Sequence, residues 1–255
     1  MILGKAVRVN PTWAASLDRK LRETRQALQE RDPAEMAHRS GATCEVVAGE
    51  RHLEVRFWDR VHLIAWPGLT VREEEGKPCS ELIEASLLDY LLLADGAPIE
   101  DVWVSFRNLP RGSFYEQAYQ SYSGNMLART FRGDLEGFRA TARRLGGEPL
   151  DMADAAYRFW ALPRIPLAVV FWSGGEEFPD SAQVLFDRSA SHYHNLEMLA
   201  HLGAMLCERL ARAREKPDQA PASQPESGNI NRQGAKYAKP GTALGGKQTK
   251  LQNAL

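Results

Sequence analysis

The apolar residues of this 255-residue chain recur every three to four positions in some stretches and every second position in others. The two periods do not alternate regularly, as strand and helix must in a doubly wound parallel sheet. Leu53, Val55 and Phe57 alternate with His52, Glu54 and Arg56, which is the repeat of a strand with one buried face. Val61–Trp66 follows Asp59-Arg60 and stops at Pro67-Gly68, so the two runs read as a hairpin. Val102–Phe106 reads as another strand. Ala155–Leu162 and Leu167–Trp172, separated by Pro163-Arg164-Ile165-Pro166, read as a strand pair. These patterns predict a single α+β domain, a mostly antiparallel sheet of short strands packed with about five helices.

The helices declare themselves by stripes and caps. Asn10 and Pro11 suit the start of a helix carrying Trp13, Leu17, Leu21, Thr24 and Leu28 on one side. Asp32-Pro33-Ala34-Glu35 opens a short helix that Gly41 ends. Ser80 caps a third, with Leu82, Ile83, Leu87, Tyr90, Leu91 and Ala94 in one stripe and Gly96 closing it. Ser113 and Glu116 have capping-box spacing ahead of Tyr119 and Tyr122. Helices are also predicted over 135–145, with Leu135, Phe138, Ala142 and Leu145, and over 196–214, with Leu196, Leu199, Leu202, Leu206 and Leu210. The stripes place Leu87, Leu91, Leu199 and Leu206 in the core.

Composition sets the limits of the domain. At 44% hydrophobic and 25% charged residues, the chain can build one sizeable core. No run approaches the roughly 18 apolar residues that a membrane span needs, and the start has no signal-peptide pattern, so a cytoplasmic protein is expected. From Lys216 the sequence turns to Pro, Gly, Ser, Gln and Lys with no apolar period, which predicts a domain over 1–215 and a disordered basic tail over 216–255. That tail holds six Lys/Arg against Asp218 and Glu226 in a chain of net charge −1, so the domain is acidic. An acidic domain argues against nucleic-acid binding. Cys44, Cys79 and Cys207 have no Cys-x-x-Cys spacing, and their expected roles are structural.

Chemistry-bearing residues concentrate between Trp172 and His194. A Gly174-Gly175 turn carries Glu176, Glu177 and Asp180, and Asp187, His192 and His194 follow. Carboxylates and imidazoles in one tract can bind a ligand or share acid–base work, so Glu177, Asp180, Asp187, His192 and His194 are the candidate ligand-binding residues. The alternative is an acidic surface turn, with Asp187 capping a turn. The His-x-His pair presents both rings to one side only in an extended segment. No full metal-ligand set, dinucleotide fingerprint, P-loop or nucleophile elbow occurs. Trp103, Phe106, Phe114, Tyr115, Tyr119 and Tyr122, with Arg107 and Arg111, form a second candidate, either a flat-ligand pocket or simple core packing.

The segments Ala34–Gly41, Leu88–Leu91, Trp103–Arg107, Leu145–Gly147 and Glu176–Asp187 together resemble domain-of-unknown-function family 3786, over about residues 12–210. The resemblance implies an uncharacterised prokaryotic family found largely in anaerobes. Some longer members add a Cys-rich, iron–sulfur-like segment that these 255 residues do not contain. It assigns no catalytic residue or cofactor. The reading that follows is an accessory module of anaerobic metabolism that binds a small molecule, a cofactor or a partner protein. An enzyme using the acidic and histidine residues is the alternative, and a structural interaction domain a third. Ligand, partner identity and oligomeric state are not written in the residues.

Overall fold

The computed structural model describes residues 11–215 apart from Ala48 and Glu176. Within them lie two antiparallel sheets, seven α-helices and three short 3-10 turns, an α+β architecture. The first sheet is a meander of β1 (Thr43–Val47), β2 (Glu50–Phe57), β3 (Arg60–Trp66) and β4 (Val71–Glu73) in sequential order. In β2 the predicted alternation holds: Leu53, Val55 and Phe57 are buried, and Arg56 is exposed.

The second sheet contains β5 (Trp103–Ser105), β6 (Glu148–Leu150), β7 (Ala155–Leu162), β8 (Ile165–Trp172) and β9 (Ser181–Asp187), in the order β5-β9-β8-β7-β6. At its centre β8 is buried from Ile165 to Phe171. A strand covered on both faces reads as a continuous apolar run, which is why 167–172 shows no alternation. The strand predicted to run to Phe106 ends at Ser105, and Phe106 begins a 3-10 turn.

The helices are α1 (Pro11–Gln29), α2 (Pro33–Ser40), α3 (Glu81–Leu93), α4 (Glu116–Tyr122), α5 (Gly124–Thr130), α6 (Leu135–Arg144) and α7 (Leu196–Glu215). Asp32 caps α2 by accepting the Ala34 N–H at 3.2 Å, and Gly41 follows in the left-handed conformation at φ 72°. Ser80 caps α3 through the Ile83 N–H. That helix ends at Leu93, three residues before Gly96, because the chain leaves helical geometry at Ala94 (φ −54°, ψ 112°). Leu87, Leu91, Leu199 and Leu206 are all buried, so the stripes of α3 and α7 are phased as predicted.

The Ser113–Glu116 capping box does not form. Ser113 lies in a 3-10 turn over Gly112–Phe114, and α4 starts at Glu116 with no side-chain cap. The helix expected to open at Ser113 is therefore a turn followed by α4, and α5, which no sequence pattern announced, follows after a break at Ser123. The break brings Gly124 against β9, where a Cβ would overlap the carbonyl oxygen of Ala182 and the Gln120 amide. Gly124→Ala is expected to cost about 1–3 kcal/mol despite alanine's better helix propensity, because backbone cannot yield as a flexible side chain can. Urea unfolding checks this; a midpoint equal to wild type would mean α5 does not seat on Ala182.

The Asn10 cap and the tail over 216–255 lie outside the described residues. Among those described, no helix is long and apolar enough to cross a membrane. The three cysteines are unpaired, and burial pushes the Cys207 thiol up to about 12, which keeps it protonated and inert.

Candidate functional site

The five candidate residues of the 172–194 tract take separate partners. Glu177 is exposed on the β8–β9 turn, and Glu176 lies outside the described residues. Asp180 closes that turn. Its carboxylate accepts the N–H groups of Gly133 and Gly174, each at 2.6 Å, and those bonds hold its carboxyl below the usual range. Asp187 is buried at the end of β9, where one oxygen accepts the Ser189 N–H and hydroxyl and the Glu100 N–H. His192 is exposed with Nδ1 2.6 Å from Asp95. His194 is buried, with Nε2 3.4 Å from the Ser86 hydroxyl of α3. No hydrogen bond or ion pair joins any two of the five among the described residues. The reason is local geometry: 188–192 is a 3-10 turn, so His192 and His194 diverge.

The segment does have a collective task. Asp187, Arg188, His192 and Tyr193 all hold the stretch 95–102: Arg188 reaches Glu100, its N–H bonds Val102, and the Tyr193 hydroxyl donates to Ala97. They clasp the connection between α3 and β5 to the end of β9.

The aromatic set of 103–122 divides. Phe106 stacks on Tyr119 with centroids 4.1 Å apart and is core, whereas Phe114, Tyr115 and Tyr122 face outward. Arg107 is engaged by Glu116.

A different concavity forms where the two sheets meet. One face of β2 carries half-buried Glu54 and exposed Arg56, and one face of β7 carries half-buried Arg158 and Trp160. Two lobes open between them. The larger, about 420 Å³, runs along Thr43, Glu54, Leu162 and Pro163. The smaller, about 240 Å³, runs along Trp58, Asp59, Phe159 and Arg209. Arg56 and Trp160 line both, so the two lobes adjoin along these side chains.

Trp58 is the least expected residue there. It occupies the first position of the two-residue turn between β2 and β3, where Phe57 pairs with Arg60. Its φ is 56°, in a region that favours glycine and costs other residues roughly 1–2 kcal/mol. The ring is nonetheless only 7% exposed, with the Arg209 guanidinium over it at 5.3 Å. Its backbone N–H donates to Ala161 at 2.9 Å, at the irregularity where β7 shifts register between Trp160 and Leu162. The indole N–H has no acceptor among the described residues. Strain, a bulge and an unsatisfied donor thus coincide at one groove, as they do at built sites. Two cations there are committed: Arg209 to Asp59, and Arg158 to Glu148 and Asp101. Arg158 also covers one face of Trp160 at 5.2 Å, and the Trp160 N–H is held by Glu148. Among the described residues, no group of three or more His, Cys, Asp or Glu is placed to hold a metal ion.

The family model for a domain of unknown function, DUF3786, matches residues 32–209. The chain belongs to that family. The DUF3786 span includes both sheets, the whole groove and all five candidate residues of the 172–194 tract, but leaves α1 outside. No curated protein and no solved structure matches the chain.

Proposed function

We propose that this chain is a binding module that holds a small organic molecule in the groove between its two sheets. The observation that carries the reading is Trp58, a tryptophan kept buried in a turn position that favours glycine, in a lobe that the second indole, Trp160, also lines. Pockets at such junctions, with aromatic walls and a few polar groups, are where proteins hold small ligands. An accessory role in anaerobic prokaryotic metabolism is the setting we attach to it, and the family resemblance is what supports that setting.

A thermal-shift screen against planar cofactors and aromatic metabolites tests the reading. We expect at least one compound to raise the melting temperature, and Trp160→Leu to abolish that rise while leaving the unliganded protein folded. A shift that persists in the variant, or a panel with no shift at all, would count against it.

One observation favours the enzymatic alternative. His194 lies beside the Ser86 hydroxyl and near Asp89, and burial keeps its ring neutral at pH 7. Ser86 should then be labelled by a fluorophosphonate; if it stays unmodified, acyl chemistry at Ser86 is removed from consideration.

A further inference from the structure

Resting on that reading of the groove, we infer that its ligand is a flat aromatic molecule bearing one oxyanion, a carboxylate or a phosphate. The ring lies in the larger lobe against Trp160, and the anion lies in the smaller lobe on Arg56.

Charge distribution separates the two ends. Arg56 makes no hydrogen bond or ion pair among the described residues through its guanidinium, and it stands between the lobes. In the larger lobe Glu54, two residues away on the same face of β2, opposes its charge. In the smaller lobe Asp59 is already answered by Arg209 at 2.7 Å, so the Arg56 charge is left over. An anion is therefore favoured in the smaller lobe and disfavoured in the larger. Trp58 lines that same smaller lobe through its ring, its indole nitrogen being itself enclosed. A planar guanidinium fork matches carboxylate and phosphate oxygens.

The larger lobe suits a ring. Its walls are the Trp160 indole and the apolar side chains of Leu162 and Pro163, and aromatic faces pair well with other flat π systems. A volume of about 420 Å³ falls in the range of small-molecule sites.

Three matched probes test this on the full chain by isothermal titration: 1-naphthoate, 1-naphthyl phosphate and the uncharged 1-naphthylmethanol. At least one anion should bind about tenfold or more tightly than the alcohol, the size expected of one charge-assisted contact. Whichever anion is the tighter identifies the oxyanion. Arg56→Met should erase that advantage without weakening the alcohol, Arg56→Lys should keep part of it, and Glu54→Gln should improve anion binding. Circular dichroism confirms that each variant is folded. If Trp160→Leu weakens all three probes but Arg56→Met changes none, the ligand class is wrong and the groove reading survives. If no probe binds at one equivalent, or if Trp160→Leu changes nothing, both fall.

Discussion

Phe138→Ala is expected to destabilise the protein by about 3–5 kcal/mol, the range for emptying a fully enclosed aromatic site. Phe138 has no exposed surface. It projects from α6 onto the second sheet, stacked on Phe171 of β8 with centroids 5.0 Å apart. Phe131 meets it edge-on at 5.4 Å and Tyr157 at 5.9 Å. Three aromatic rings and a sheet cannot close the space that truncation leaves, so the cavity persists and the neighbours lose their contacts. Urea unfolding should show a lower midpoint with an unchanged slope, and Phe138→Leu should lose less. A Phe138→Ala loss under about 1 kcal/mol would mean that α6 is not anchored through this ring.

Phe138 was legible because it belongs to a helical stripe, and the stripes of α3, α6 and α7 each rest on a local period. What local period could not reveal were the short edge strands. Val71–Glu73 and Glu148–Leu150 are three residues each, and the latter includes Pro149, so neither offers an alternation to read. In β9 the signal was present, since Ala182, Val184 and Phe186 are buried in alternation, but the flanking charged residues drew the reading toward a turn. The division into two sheets is also invisible locally. It depends on β4 ending the meander and on β5 pairing with β9, some eighty residues downstream.

The groove was harder still, because it joins residues about a hundred positions apart. Trp58 meets Ala161 through a backbone bond that no spacing rule anticipates. Its one sequence signal is a tryptophan in a two-residue hairpin turn, where glycine or asparagine is the ordinary choice. The 172–194 tract stands out instead because charges and imidazoles are conspicuous in one dimension. In three dimensions Asp180 closes a turn, Asp187 caps one and His192 pairs with Asp95. The possibility that Asp187 caps a turn was readable from the sequence; the clasp on 95–102 was not.

Between about pH 7 and about pH 4.5 the protein is expected to lose about 2 kcal/mol of stability through His194 alone. Burial pushes this imidazole down to about 4 from an ordinary 6.5, with Lys20 adding to the shift and Asp89 opposing it. In the unfolded chain the ring takes up a proton as pH falls through 6.5, whereas the folded protein resists until about 4. The unfolded state therefore binds more protons across that window, and stability falls as pH falls. Below the folded value both states are protonated and this contribution stays constant. Burial also lowers the pKa of His62, so it adds to the wild-type slope in the same direction. Asp95, Glu148 and Asp180, all held below their ordinary range, add further losses at the acid end of the window and below it. The difference between wild type and His194→Gln isolates the one group, since glutamine does not titrate. Urea unfolding of both proteins at several pH values should show a shallower fall for the variant across the window. Parallel curves would mean that His194 is protonated as readily in the folded protein as in the unfolded chain, and that its ring is not enclosed between α3 and the end of β9.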